Sequence, residues 1–576
     1  MAKPAEKRQA RPARAPIAAE AFLRALADHG IDFFFANPGT DFPPIVEAFS
    51  RADRSNAKVP RPILVPHENL AVAMAHGAYL MTGRPQAVMV HVNVGTANTL
   101  NNLINLSRDR VPIILAAGRT PVTEQGAFGS RSRPIHWAQE MFDQAAMLRE
   151  VVKWDYELRV PEQIGDVVAR AYEVAMTSPR GPIYMVLPRE PLAAALPEPP
   201  PVLKPRALPA SAHPDPHAIA ALADWIIAAE RPLILTAAAG EPDSVAALGR
   251  MAERAAIPVV ANSARVMALP SSHPMHFGSE PGSLFRDADL IIAIESDAPW
   301  FPHLQQPPSG CRIVHIGEDP VFQRYPMRSF PSDLTIMAGT ANALRALDVA
   351  LVDLPAKAKA EPRIDARRKH LGELQQQRQG RLAKDSAVPE RAITKAYLSR
   401  LIGETVGADA IIFNEYPLLL DHCRREQPGS LFGLSPAGGL GWGVGAALGA
   451  KLAAPDKFVV ATVGDGAYMF TNPTVCHWVA DAFRLPVLTI IFNNSRYGAV
   501  RGATLSMFKD GIAGESDGRF MADLDPSPDF AAIARAQGAH GERVERPEDL
   551  PRALADAKDA VLNARRPALL DVICPY

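Results

Sequence analysis

The chain has 576 residues, 48% of them hydrophobic and 21% charged, with a formal net charge of -1. That length suggests three or four domains with sizeable cores, and the neutral balance gives no electrostatic reason to expect nucleic acid or a membrane as partner. Cys311, Cys423, Cys476 and Cys574 are far apart and form no CxxC pair, which argues against a disulfide framework or zinc site and fits a reducing, cytoplasmic location.

The basic, Pro- and Ala-rich opening MAKPAEKRQARPARAP has no apolar centre and reads as a solvated tail rather than a secretory signal. From Ile17 onward helical patterns alternate with short apolar runs. AAEAFLRALADHG is an amphipathic helix stopped at Gly30. IDFFFANPG, PILVP, QAVMVHV, VPIILAAG and GPIYMVLPREP follow as strands, each leading into a turn or helix. No apolar run reaches the roughly 18 residues that span a bilayer.

The proline-dense stretch PLAAALPEPPPVLKPRALPASAHPDPH then reads as an extended linker. A second set of strand candidates comprises RPLILTAAAG, IPVVANS, DLIIAIESD and CRIVHIGED. KAKAEPRIDARRKHLGELQQQRQGRLAKD has helix-forming composition and a poor apolar face, and predicts an exposed connecting helix. A third set comprises AIIFNE, KFVVATVGD, PVLTIIFNN and PALLDVIC. Helix–strand alternation marks parallel sheets, so the reading is three consecutive α/β domains at 17–191, 215–350 and 390–576.

The chemistry is clearest in the third domain. Gly464-Asp465-Gly466 ends an apolar strand in a tight turn that opens a helix. Two glycines let the backbone approach a ligand, a helix N-terminus offers amides to phosphate, and Asp465 supplies the hard oxygen that Mg²⁺ demands. The next strand ends in Asn493-Asn494, so its tip lies beside Asp465 in a parallel sheet. A rival pattern, Gly441-Trp442-Gly443-Val444-Gly445-Ala446 with an Asp some twenty residues on, suits a dinucleotide fold. A ribose-binding acid needs no flanking glycines, however, and the paired asparagines would go unexplained.

GDG, 26 intervening residues (467–492) and NN resembles the thiamine-diphosphate motif of the pyruvate decarboxylase, acetolactate synthase and benzoylformate decarboxylase superfamily. The resemblance covers nearly the whole chain after the basic tail and matches its domain order: pyrimidine-binding, central, diphosphate-binding. It implies that Asp465, the Asn494 side chain and the Arg496 carbonyl ligate Mg²⁺, with Gly464, Gly466 and Ala467 around the diphosphate. In SPAGGLGWGVGAALGA, Leu440 aligns with the apolar wedge that bends the cofactor, and the Gly438 carbonyl accepts from the pyrimidine amino group.

The first domain supplies the remaining parts. Glu68, in RPILVPHENLAV, stands after a strand and at a helix start, like the family's glutamate. A carboxyl there favours the imino tautomer, whose N4′ removes the thiazolium C2 proton. Alone, an acid at that place equally suits the helix dipole.

Local matches are nearest to benzoylformate decarboxylase. Asn37-Pro38-Gly39-Thr40 resembles its NPGS turn, with the Thr40 hydroxyl on the substrate carboxylate. VMVHVNVGTANT resembles its histidine strand and marks His91 as a proton relay, although a buried core histidine also fits that strand. DAPWFPHLQ offers His303 as a second histidine, against an ordinary loop histidine.

The resemblance thus implies decarboxylation or ligation of a small 2-oxo acid by a homodimer or homotetramer with active sites at subunit interfaces. Leu440, Ala499 and Val500 line an apolar pocket, and 505–525 forms a mobile cover. An acetolactate-synthase-like ligase with or without FAD, a flavin-dependent 2-oxo acid oxidase, and a catalytically idle relative are the alternatives. Joint retention of Glu68, Asp465 and Asn494 argues against the last.

Overall fold

A computed structural model describes residues 15–196, 206–353 and 357–575; the basic tail up to residue 14 and part of the proline-rich linker lie outside the described residues. Contacts divide the chain into two compact units. One holds the chain through Glu68 with Arg84–Leu100 and Pro112–Leu208, and the other holds Asn69–Gly83, Asn101–Val111 and Pro209 onward.

The first unit contains a six-stranded sheet: β1 Phe33–Asn37, β2 Arg61–Leu64, β3 Ala87–Val90, β4 Ile114–Arg119, β5 Asp155–Glu157 and β6 Ile183–Pro188. Every pairing is parallel and the spatial order is β2-β1-β3-β4-β6-β5. Helices cover both faces, so a central strand must be apolar on both: Phe34 and Phe35, adjacent in β1, are each buried. The expected first helix forms as Ala18–Asp28 and ends where Gly30 takes a φ of 76°.

The second unit contains two further parallel sheets. β7 Pro232–Thr236, β8 Val259–Val260, β9 Leu290–Ile294, β10 Arg312–Gly317 and β11 Leu334–Met337 run in the order β11-β10-β9-β7-β8. β12 Ile411–Glu415, β13 Leu431–Gly433, β14 Val459–Gly464, β15 Leu488–Asn493, β16 His540–Val544 and β17 Ala568–Ile573 run in the order β13-β12-β14-β15-β17-β16. This last order repeats that of the first sheet, strand for strand. In both, the chain reverses direction across the sheet between the first and third strands, and ligands bind at such switch points, beyond the carboxyl ends.

The charged stretch forms one helix, Lys357–Asp385, but it is more than an exposed connector. Arg367 is buried and donates to the carbonyls of Ala255, Ile226 and Ala229, while Arg378 pairs with Asp421. Its docking face sets these arginines among Ile364, Leu371 and Leu374, which pack on the central core, so its apolar stripe is thin. Among the described residues no helix is long and apolar enough to cross a membrane.

Candidate active site

In the first sheet the switch point lies between the tips of β1 and β3. β1 runs into the Asn37-Pro38-Gly39-Thr40 turn, and β3 ends one residue before His91. There His91 Nδ1 lies 2.5 Å from Oδ1 of buried Asp41, whose other oxygen accepts the Val92 amide at 3.2 Å. Two glycines make room: a Cβ on Gly39 would stand 2.2 Å from the His91 ring, and one on Gly118 would stand 1.8 Å from Asp41 Oδ2.

The Asp41 bond raises the His91 pKa above the ordinary imidazole value against the opposing pull of burial, and Glu68 adds to the rise. With Nδ1 engaged, Nε2 is the nitrogen left to other partners, and the Gln139 amide lies 3.3 Å from it. Val92, which follows, has a φ of 31°, an outlier for a β-branched residue. Such strain gathers at functional sites.

Glu68 opens the helix Glu68–Thr82 and is buried. Asn37 Nδ2 donates to its Oε1 at 2.9 Å and Asn98 Nδ2 to its Oε2 at 3.1 Å. The carboxyl is therefore aimed by two neutral donors and paired with no cation. Thr40 lies in the same turn as Asp41, its carbonyl accepting from Arg189 at 3.2 Å.

In the third sheet Asp465 follows β14 directly and opens the short helix Asp465–Phe470, which includes Gly466 and Ala467. Its Oδ1 accepts the Gly466 amide at 3.0 Å, whereas its buried Oδ2 has no hydrogen-bond partner among the described residues. Burial raises the Asp465 pKa, opposed by the amides of Gly466, Arg496 and Ser495, so the Asn494–Arg496 loop stands against this carboxylate.

The two asparagines divide the work. Buried Asn493 ties its amide to Asp571 at 2.8 Å and Ser527 at 3.0 Å. Asn494 is less buried, its oxygen accepting the Arg496 amide at 3.0 Å, and Ser495 between them has a φ of 55°. A Cβ on Gly464 would meet nothing within 4 Å, which leaves open space beside Asp465. Among the described residues no three His, Cys, Asp or Glu side chains cluster as a metal site. A single carboxylate with neutral oxygens nevertheless suits Mg²⁺, which keeps waters and phosphate oxygens as its other ligands. The unpaired Oδ2 fits such an ion.

The Gly441-to-Ala446 pattern does open a helix, Gly443–Ala453, but its first amides are taken by the protein itself. Glu415, fully buried at the tip of β12, accepts from Gly441 N at 2.7 Å and Gly443 N at 2.6 Å. A dinucleotide's diphosphate needs those donors, so the rival reading fails on geometry. Burial pushes the Glu415 carboxyl up to about 7 despite these bonds. Gly438, with a φ of 70°, and the half-buried Leu440 lie in the preceding turn. The helix Gly443–Ala453 packs tightly: a Cβ on Gly445 would stand 2.6 Å from the Ala73 side chain, and one on Gly449 1.9 Å from the Met74 carbonyl.

His303 sits exposed on a turn of the central domain. Ala499 and Val500 are exposed on the helix Gly498–Met507, and 505–525 continues through a short 3-10 turn at Ile512–Gly514. In the central sheet Glu295 stands just beyond β9, on the side of β10 and β11. Its carboxylate accepts from Glu318 N at 2.8 Å, Thr340 Oγ1 at 2.7 Å and Arg110 Nη1 at 3.0 Å. Asp41, Asn98, Gln139 and Glu415 are the residues that the sequence did not announce.

Three family profiles match the chain and together span well over half of it. They are "Thiamine pyrophosphate enzyme, N-terminal TPP binding domain" over 17–147, the "central domain" of the same enzymes over 219–347, and their "C-terminal TPP binding domain" over 416–572. Benzoylformate decarboxylase of Pseudomonas aeruginosa is 28% identical over 568 residues, covering 95% of this chain and 97% of that protein. A probable acetolactate synthase large subunit of Methanocaldococcus jannaschii is 25% identical over 596 residues, covering 96% and 91%. The solved thiamine diphosphate-dependent 4-hydroxybenzoylformate decarboxylase of Rhodococcus jostii RHA1 superposes with a TM-score of 0.76 at 23% identity, covering 97% of this chain and 99% of that one.

Proposed function

The chain belongs to the thiamine pyrophosphate enzymes that act on 2-oxo acids, and from that premise we propose that it is a Mg²⁺-dependent 2-oxo acid decarboxylase of the benzoylformate decarboxylase kind. The observation that carries this reading is the Asp41–His91 pair beside Thr40. Decarboxylation ends in protonation of carbon, and an imidazole whose protonated form is favoured by a buried carboxylate is suited to deliver that proton.

Thiamine diphosphate, when bound, supplies the electron sink that loss of CO₂ requires. Asp465, the Asn494 side chain and the Arg496 carbonyl hold Mg²⁺, and Gly464, Gly466 and Ala467 border the diphosphate. Leu440 and the Gly438 carbonyl stand against the rings. Glu68, aimed by Asn37 and Asn98, holds the proton shared with the aminopyrimidine. The Thr40 hydroxyl takes the substrate carboxylate, and His91 moves a proton at Nε2.

The working form is a homodimer or a pair of them, in which Glu68 of one protomer serves a cofactor held by Asp465 of its partner. Exposed apolar side chains support this: Phe128, Trp137 and Phe142 in the first unit, and Met507, Phe508, Ile512, Phe520 and Met521 in the second.

The test is a screen of 2-oxo acids with the reconstituted holoenzyme, scoring CO₂, aldehyde and acyloin. Aldehyde as the main product supports the reading. Acyloin from every accepted substrate, with no free aldehyde, overturns it in favour of a ligase.

A further inference from the structure

Glu415 is a buried acid with no cation bonded to its carboxylate, an arrangement that costs stability and persists where something else requires it. It sits at the switch point of the third sheet, paired in register with Val463 two residues before Asp465. Both carboxylate oxygens are spent on one turn, through Gly441 and Gly443.

The room for it is cut closely. A Cβ on Gly443 would come within 3.0 Å of the Glu415 Cβ and 3.1 Å of its Oε2, and one on Gly441 within 2.9 Å of the Phe470 carbonyl. Tyr416, next in the chain, is held at a φ of 82°, which a tyrosine adopts only under constraint. On its other side the turn is gripped by asparagines. Asn105 donates to the Gly439 carbonyl at 2.7 Å and accepts its amide at 2.9 Å, and Asn101 donates to the Leu440 carbonyl at 2.8 Å.

We infer that Glu415 is a positioning residue, whose carboxylate holds the turn carrying Gly438 and Leu440 in the form that receives the rings of thiamine diphosphate. This rests on the reading above that the turn lies against the cofactor. A carboxylate suits the task because it accepts on both oxygens, whereas an amide would turn a donor toward one of the two backbone amides.

The test is titration calorimetry of the full-length apoprotein with Mg²⁺, using thiamine diphosphate and inorganic pyrophosphate as separate probes. In Glu415→Gln, thiamine diphosphate affinity falls on the order of tenfold to a hundredfold while pyrophosphate affinity stays at the wild-type value, because the Asp465 end is untouched. Gly443→Ala, which crowds the carboxylate without removing it, reproduces the split and decides the matter if Glu415→Gln fails to fold. Wild-type thiamine diphosphate affinity in a folded variant overturns the inference, as does equal loss of both probes with early melting. Failure of the wild-type protein to bind either probe refutes the cofactor reading itself.

Discussion

Asp41→Asn isolates the charge in the Asp41–His91 pair while keeping its shape. The Val92 amide holds one oxygen of Asp41 at 3.2 Å, so an asparagine turns its oxygen to that amide and its NH₂ to His91 Nδ1. His91 then accepts at Nδ1, carries its proton on Nε2 when neutral, and loses the partner that favours its cation. A hydrogen bond to a charged group contributes about 1.5–3 kcal/mol, which corresponds to roughly a tenfold to hundredfold loss of turnover near neutral pH. The Asp41 bond raises the His91 pKa above its ordinary 6.5. The stabilisation from the pair is therefore fully present below that ordinary value and is lost as pH rises through the raised one. Urea unfolding should show a wider gap between wild type and variant at pH 6 than at pH 9, and the alkaline limb of the kcat profile should move to lower pH. A variant with the wild-type profile and turnover would refute the role of the pair.

Asp465→Ala should abolish Mg²⁺-dependent binding of thiamine diphosphate, a loss of about a hundredfold or more, because the ion's one anionic protein ligand is gone. Calorimetry reads this, and undiminished affinity would remove the metal assignment. Glu68→Gln should retain cofactor binding yet slow hydrogen–deuterium exchange at C2 of the bound cofactor on the order of a hundredfold or more; exchange at the wild-type rate would exclude Glu68 from that step. Buried His76 accepts the Trp442 indole N–H at 2.9 Å and is pushed down to about 3 by burial. Its contribution is present above 6.5 and lost as pH falls toward 3, so His76→Gln should spare about 2 kcal/mol of the stability lost between pH 6.5 and 5, measured by urea melts.

The strands at the centre of each sheet were legible because burial on both faces demands continuous apolar runs, as in VVATVG and LTIIFN. The edge strands β5, β11, β13 and β16 were not: DYE and HGERV pair on one side only and carry charge. Asp465 and Glu68 could be picked out from their short motifs. Asp41 and Asn98 could not, since Asp41 lies 50 positions from His91 and Asn98 lies 30 from Glu68, and only the strand order brings them together. Glu415 did carry a signal: it ends an apolar strand, AIIFNE, in an acid, as VVATVGD ends in Asp465.

The three sheets share a starting order, second strand, first, third, fourth, so the fold offers three equivalent crevices at three switch points. What differs is the residue at each tip. The first presents Glu68 and His91, the proton-handling groups of the proposed reading, each aimed by a neighbour distant in the chain. The third presents oxygen, with Asp465 Oδ2 unpaired among the described residues and the amides of Gly441 and Gly443 already bound by Glu415. In the central sheet Glu295, just beyond β9, is bound by Arg110, Glu318 and Thr340. In the reading proposed above, a diphosphate entering the third crevice would meet Asp465 through a cation rather than the glycine-rich helix directly. On the proposed reading, a chain carrying a dinucleotide-like glycine pattern would hold its cofactor instead through an aspartate, an asparagine and a metal ion.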